Sequence, residues 1–515
     1  MIAEFKNTAY LDFTQPANKQ AMADALQLVE SQFSREYPLF INGKDVTTGD
    51  RFKSYNPGER AQVVGTFHKA GKKEVDLAMD AAWHAFASWK HVDPKERAIV
   101  LFKAAEIMRR RRLELNAWMV LEASKSWNEA DSEVAEAIDF LDFYGREMLR
   151  YSERQPITAQ PGEFNELIYI PLGVGVVIPP WNFPLAILTG MASAAIVCGN
   201  PVLLKPASDT PVIGYKLVEI FQEAGLPEGV FNFIPGSGGV IGDYLVGHPK
   251  TRFIAFTGSM EVGLHINQLA ATPQKGQIWI KRVVAEMGGK DAIIVDDDTD
   301  VATAAEDVAA SAFGFQGQKC SACSRAMIHE KIYDEFVQRL AERVRQITVG
   351  PVKNPANWMG AVISSSAQEK IMEYIAIGKQ EGKLLVGGEK GPDSGNFIQP
   401  TVFKDVASNA RIACEEIFGP VLALVKARDF DEALKFANDS IYGLTGAVYT
   451  RSRAKLEKAK REFHCGNLYL NRKCTGAMVG GHPFGGFNMS GTDSKAGGRD
   501  YLGLFLQAKT IAEKM

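Results

Sequence analysis

The sequence predicts an α/β protein with two doubly wound, mostly parallel sheets, and three observations carry that prediction. Short β-rich runs alternate with helical segments from GVGVVI at 173–178 to RFIAFTGS at 252–259. The same alternation resumes after Glu286, from DAIIVDDD at 291–298 to KIYDEFVQRLAERVRQITVG at 331–350. Between Leu167 and Leu204 there is no charged side chain, yet the run contains Pro171, Pro179, Pro180, Pro184 and Pro201. A membrane-spanning helix would not tolerate so many breaks, so this stretch reads as buried strand, turn and helix.

Taken in order, 173–178 is a strand, LAILTGMASAAIVCG at 185–199 a helix and PVLLKPA at 201–207 a strand. VIGYKLVEIFQEAG at 212–225 is a helix, VFNFIPG at 230–236 a strand, VIGDYLVGHP at 240–249 a helix and 252–259 a strand. The strand runs are short, apolar and bounded by Gly or Pro, as in strands covered on both faces. Upstream, PKERAIVLFKAAEIMRRRRLELNAWMVLEA at 94–123 reads as one long helix, with Arg109 to Arg112 on a solvated face. Sheets of this kind bind ligands at the carboxyl ends of their strands.

A chain of 515 residues with 46% hydrophobic side chains can bury several large cores. Lys+Arg 58 against Asp+Glu 61 leave a net charge of −3, so no global field invites nucleic acid or an anionic membrane. Six cysteines are too sparse for a disulfide framework and suit a reducing compartment. The start, MIAEFKNTAYLDF, has no apolar stretch of signal-peptide length, which points to the cytoplasm.

The most informative segment is FGFQGQKCSACSR at 313–325, where Cys320 follows Gly314, Gln316, Gly317, Gln318 and Lys319. An inert structural cysteine is more often surrounded by apolar residues; this loop is polar and slim, and Lys319 beside the sulfur favours the thiolate. Cys320 and Cys323 also spell C-x-x-C, but Cys198, Cys414, Cys465 and Cys474 supply no second pair at zinc-ligand spacing, so no metal is expected. A thioredoxin-like dithiol belongs near the start of a small domain, not this far along. PGSGGVIG at 235–242 approaches a dinucleotide fingerprint through Gly236, Gly238 and Gly242 but is one residue too long, and fits a tight turn equally well.

Eight segments occur in order along the chain: PWNFP at 180–184, LLKPA at 203–207, FTGS at 256–259, EMGGK at 286–290, the Cys320 loop, EEIFGPV at 415–421, NDSIYGLTGAVYT at 438–450 and PFGGFNMSG at 483–491. Together they resemble the aldehyde dehydrogenase superfamily over nearly the whole length. The resemblance implies an NAD-binding domain from 1–150 and 168–289, a catalytic domain at 290–489, and an oligomerisation element from 151–167 with 490–515. It implies Cys320 as nucleophile, Asn182 as oxyanion donor and Glu286 as the base that activates water, with Gly288 and Gly289 leaving that glutamate room to move. For the cofactor it places Lys205 and Glu416 on the riboses, Ser259 with Gly258 at the pyrophosphate, and Phe418 at the nicotinamide end; Gly238 is a further candidate.

Ser208 stands three residues after Lys205, where NAD-selective relatives often carry glutamate. A serine does not repel a 2′-phosphate, so NAD is expected to be preferred with NADP tolerated. Within the family, EADSEVAEAIDF at 129–140, QKCSACSR and KCTGAMVGGHPFGG at 473–486 most resemble members that oxidise L-glutamate γ-semialdehyde. That resemblance gives Ser321, Thr475, Gly476 and Ala477 the distal carboxylate. Another semialdehyde such as succinate semialdehyde, or a thiol-redox role for Cys320 with Cys323, are the alternatives. Ser124 departs from the usual glycine of this stretch and Met287 from the usual leucine. A small-molecule substrate and a homo-oligomer built from dimers are expected, with neither nucleic acid nor membrane as partner.

Overall fold

The computed structural model describes residues 4–515. Its centre is two seven-stranded sheets. In the first, Arg282–Glu286, Phe253–Thr257, Gly175–Ile178, Val202–Leu204 and Phe231–Phe233 lie side by side and parallel, and the antiparallel strands Leu39–Ile41 and Lys44–Val46 extend the far edge. The strand order reverses between Gly175–Ile178 and Phe253–Thr257, which opens a crevice at their carboxyl ends.

The second sheet runs Lys383–Val386, Thr401–Lys404, Val421–Ala427, Cys323–His329, Asp291–Val295, Thr445–Tyr449, Asn467–Leu470, with only the first strand antiparallel. The two sheets are used in opposite senses. Glu286 is the last residue of its strand in the first sheet, whereas Cys320 precedes the first residue of Cys323–His329 in the second. The nucleophile candidate is thus offered from the amino ends of the second sheet, not from the carboxyl ends that the doubly wound rule anticipates.

The charge-free run folds as strand, loop, strand, helix and strand, and Ala186–Val197 is buried on all sides except Ile187. The expected single helix at 94–123 is two, Pro94–Arg110 and Arg112–Ala123, broken where Arg111 leaves helical geometry (φ −95°, ψ 13°). Arg110 is solvated, with its side chain 62% exposed, but Arg111 and Arg112 are mostly covered, at 17% and 13%. Arg109 pairs with Asp142, Arg110 with Glu223, Arg111 with Glu219 (2.6 Å) and Arg112 with Asp131 (2.6 Å), tying the helix junction to its neighbours.

Glu163–Pro171 and Leu506–Lys514 pair antiparallel as an isolated two-stranded ribbon. The ribbon begins and ends later than the 151–167 segment suggested, because pairing with the C-terminal strand continues to Pro171. Residues 490–494 are not part of it: the Ser490 carbonyl accepts from the Met287 N–H (2.8 Å) and Ser494 bonds Glu286, so this stretch lies beside the EMGGK segment. Among the described residues, no helix is long and apolar enough to cross a membrane.

Candidate active site

Three loops converge at the crevice. The first, between Gly175–Ile178 and Ala186–Val197, carries Asn182, which is 4% exposed and whose Nδ2 donates to the Gln318 carbonyl (2.9 Å). The amide is held against the nucleophile loop with a second N–H still available. The second is the nucleophile loop itself. Phe315, Gln316 and Gly317 all have left-handed backbone (φ 49°, 58° and 66°), and a Cβ at Gly317 would stand 2.4 Å from the Gly419 carbonyl oxygen. Such conformations persist only where the surroundings over-determine them. Here Gln316 Nε2 donates to the carbonyls of Ser124 (3.0 Å) and Ala361 (2.7 Å), and Gln318 Oε1 accepts from the Ile363 N–H (2.9 Å).

Beneath that loop lies a charge buried in aromatic rings. The Lys125 ammonium is 3.8 Å from the Phe315 centroid and 4.0 Å from that of Phe183, and pairs with Glu133 at 2.9 Å with both side chains fully buried. The other Glu133 oxygen accepts the N–H groups of Leu185 and Ala186, the start of the Ala186–Val197 helix. One ion pair therefore fixes both the Asn182 and the Cys320 loops; leaving either charge of such a pair alone costs about 3–5 kcal/mol. Ser124 is explained by the same junction. It is the left-handed cap of Arg112–Ala123 (φ 55°), where glycine is cheapest, and its hydroxyl accepts the Ala361 N–H (2.9 Å).

The third element is Glu286. Burial pushes its carboxyl up to about 8, against the pull of the Ser494 hydroxyl and the Gly486 N–H (3.3 Å) that hold it and of the nearby Lys495 ammonium. Glu286 lines neither of the cavities described below. At Gly288 a Cβ would strike the Glu416 carboxylate (2.2 Å) and at Gly289 the Cys320 carbonyl (2.6 Å). Those glycines let two site segments approach closely. Met287 packs likewise against Gly263, where a Cβ would meet its sulfur at 2.4 Å.

Two cavities meet at Cys320. The larger, about 420 Å³, is lined by Asn182, Lys205, Gly258, Ser259, Glu416 and Phe418 among others. Lys205 is 8% exposed and its ammonium donates only to the neighbouring Pro206 carbonyl (3.3 Å), leaving N–H groups for a ribose. Ser259 caps Met260–Ala271, so the first free N–H groups of that helix face the cavity mouth as a phosphate cradle. The Phe418 backbone is left-handed (φ 60°), and its ring meets Trp181 edge-on at 5.5 Å. These donors suit a dinucleotide. Ser208 lines a separate cavity of about 200 Å³ with Lys53 and Arg60, and Gly238 lines neither, lying on an exposed helical turn.

The second cavity, about 140 Å³, also reaches Cys320 and is lined by Ser321, Gly476 and Ala477; Thr475 is buried behind them. Sequence reasoning missed its charged wall: Glu129, Glu136 and Lys319. Lys319 does not attend the Cys320 sulfur, because its ammonium is engaged with Glu129 at 2.7 Å. Burial and the carboxyl groups of Asp291, Glu416 and Glu286 instead push the Cys320 thiol well above its ordinary value. Burial also raises Glu129, but the ammonium groups of Lys319 and Lys125 outweigh it and the carboxylate stays ionised; Glu136, buried beside Glu133, is pushed up to about 8. A signal was present: Glu129, Glu133 and Glu136 recur at i, i+4, i+7, an acidic stripe on one face of the Trp127–Ser152 helix.

Cys323 is 1% exposed and its free thiol donates to the Arg325 carbonyl (3.5 Å); the group that raises it most besides burial is Cys474, a residue far away in sequence that the C-x-x-C pattern concealed. Among the described residues, Asp296, Asp297 and His329 lie at metal-binding separation, but at the opposite strand ends, where Lys455 (2.5 Å to Asp296) and Lys331 (2.8 Å to Asp297) already neutralise the aspartates.

A cysteine shared by a cavity with ribose and phosphate donors and a smaller one with a charged wall, with a half-buried glutamate alongside, is the layout of a thiol-dependent dehydrogenase. The family model of the aldehyde dehydrogenase family matches residues 45–511, and the chain belongs to that family. It is 58% identical over 513 residues, all of both chains, to the 1-pyrroline-5-carboxylate dehydrogenase of Geobacillus thermodenitrificans. A structure of 1-pyrroline-5-carboxylate dehydrogenase from Thermus with bound NAD superposes with a TM-score of 0.99 at 51% identity, covering all of each chain. The betaine aldehyde dehydrogenase of Staphylococcus aureus, 28% identical, gives 0.89 over 96% of this chain and 97% of its own.

Proposed function

We infer that this chain oxidises L-glutamate γ-semialdehyde, the open form of 1-pyrroline-5-carboxylate, to L-glutamate with NAD. The observation that carries the reading is Cys320 at the junction of the two cavities, one with ribose and phosphate donors, the other ending in Lys319, Glu129 and Glu136. An amino-acid end group is a carboxylate and an ammonium together, and that wall offers the Lys319–Glu129 ion pair beside Glu136, a carboxyl held up near 8 that an arriving ammonium would ionise.

The Cys320 sulfur adds to the aldehyde carbon, and the carbonyl oxygen becomes an oxyanion that the second N–H of Asn182 and the Cys320 N–H stabilise. Bound NAD supplies the hydride acceptor, with Lys205 and Glu416 on its riboses, Ser259 and Gly258 at its phosphates and Phe418 at its nicotinamide end. Loss of hydride leaves a thioester on Cys320. Glu286 then takes a proton from water, whose oxygen replaces the sulfur, so that the acid leaves and the thiol is restored. To do so it releases Ser494 and turns toward the cavities.

Ser321 and the amides of Gly476 and Ala477 hold the distal carboxylate, with Thr475 supporting that loop. The acids beside them favour a substrate with an ammonium group over succinate semialdehyde. Comparing kcat/KM for glutamate semialdehyde, succinate semialdehyde and a neutral aldehyde tests this. The expected order is the order just given, and preference for the neutral aldehyde would refute it.

NAD is preferred with NADP tolerated, since Ser208 carries no charge and shares its cavity with Lys53 and Arg60. Ser208→Glu should lower kcat/KM for NADP by about tenfold or more and leave NAD nearly unchanged, because a carboxylate repels the 2′-phosphate. Equal losses for both cofactors would contradict this role.

The domain reading is an NAD-binding domain at 1–150 and 168–289 and a catalytic domain at 290–489, supported by a break between the two large sheets at 286–291. The ribbon leaves Phe164 (38%) and Ile168 (37%) exposed, which supports pairing of subunits into dimers and larger homo-oligomers. Six free thiols support the cytoplasm.

A further inference from the structure

Residues 4–15, ahead of the first helix, Pro16–Glu30, form no regular element, yet they are strapped along the mouth of the small cavity. Asn7 Nδ2 donates to Asp139 Oδ2 and to the Val479 carbonyl (both 2.9 Å), the Thr8 N–H to Asp139 Oδ1 (2.8 Å), and the Leu11 N–H to Asp131 Oδ2 (2.7 Å). Arg112 holds the Ala9 carbonyl (2.9 Å), and Phe5 meets Phe143 edge-on at 5.2 Å. The arm therefore bridges the Trp127–Ser152 helix and the loop that bears Gly476 and Ala477.

From this arm Tyr10 reaches into the lining of the cavity, together with Glu129, Glu136, Lys319 and the Gly476 loop. Among the described residues, its hydroxyl donates to the Met478 thioether (3.4 Å), a weak acceptor that a carboxylate readily displaces. Burial, and the acids Glu136, Asp139, Asp131 and Glu129 around it, raise the phenol above its ordinary range, so it remains a neutral donor.

We propose that Tyr10 is a specificity-determining residue: its ring closes the outer end of the substrate cavity, and its hydroxyl turns from Met478 to the distal carboxylate of the bound semialdehyde. The proposal rests on the substrate reading above. It makes the N-terminal arm part of the recognition surface, fitted to a short chain ending in charge and excluding longer apolar aldehydes.

The test compares Tyr10→Phe and Tyr10→Ala with the wild type on glutamate semialdehyde and on heptanal. Tyr10 is 56% exposed and outside the buried core, so both variants should keep the fold, which an unchanged melting temperature checks. Tyr10→Phe should raise KM for the semialdehyde by about tenfold, the effect of one hydrogen bond to a charged group, with kcat within about twofold. Tyr10→Ala should do the same and also raise kcat/KM for heptanal by about tenfold, as an opened apolar wall admits more chain. Unchanged KM for the semialdehyde in Tyr10→Phe, or unchanged heptanal turnover in Tyr10→Ala, overturns the proposal. Wild-type preference for heptanal would instead overturn the substrate reading, since the Tyr10 effect is a ratio of variant to wild type.

Discussion

Replacing Cys320 by alanine is expected to reduce NADH formation from any aldehyde by on the order of 10⁴-fold or more, in line with the loss of other covalent nucleophiles. The reason is chemical. An aldehyde carbon has no electron pair to push hydride away until a nucleophile has added to it, and of the residues common to both cavity linings, Ile187 and Cys320, Cys320 carries the nucleophile. The substitution removes one sulfur atom and leaves the loop's supports, Gln316, Gln318 and the Lys125–Glu133 pair, untouched. Cofactor binding, followed by quenching of protein fluorescence, should therefore survive in the variant. Because burial and three nearby carboxyl groups push the thiol up, the attacking thiolate grows as pH rises, and acylation in the wild type should quicken toward alkaline pH. Alanine activity within tenfold of wild type would remove the covalent step altogether.

Replacing Glu286 by glutamine should separate the two halves of the reaction. Hydride transfer needs only the adduct on Cys320, so a rapid burst of about one NADH per site should persist. Hydrolysis of the thioester loses its base and should slow by roughly 10²- to 10⁴-fold. The glutamine amide is isosteric and can still bond Ser494, so the loss is one of proton acceptance, not of packing. The pH dependence carries a sign. Glu286 accepts a proton only when ionised, and burial sets that ionisation at about 8, so wild-type deacylation should climb as pH rises toward 8 and flatten above it. The glutamine variant should lack this limb. A variant with no burst would show that Glu286 acts before hydride transfer.

The alternation of strands and helices was legible because buried parallel strands and amphipathic helices impose different local periods. The Cys320 loop was legible because glycines and glutamines around a cysteine are locally odd. What escaped notice depends on residues distant in sequence. Lys319 looked like the charge that activates its neighbour, but Glu129, 190 positions earlier, holds it. Arg111 and Arg112 looked solvated, but Glu219 and Asp131 from other elements cover them. Cys323 appeared to pair with Cys320 by spacing, whereas the fold brings Cys474 to it. Ser124 could be flagged as a departure from glycine, yet only the left-handed helix end explains why glycine suits the place. The placement of the N-terminal arm was not legible, since it depends on Asp131 and Asp139, more than 100 positions away in sequence.

The central claim is that oxidation proceeds through an acyl group on Cys320 that Glu286 is needed to remove. Acid-quenching the Glu286→Gln enzyme within its burst, with glutamate semialdehyde and NAD, and weighing the Cys320 peptide tests it directly. The expected result is a γ-glutamyl addition on that peptide in near-stoichiometric amount to the NADH formed. NADH produced with an unmodified Cys320 peptide, or with the addition on Cys323 or another residue, would contradict it.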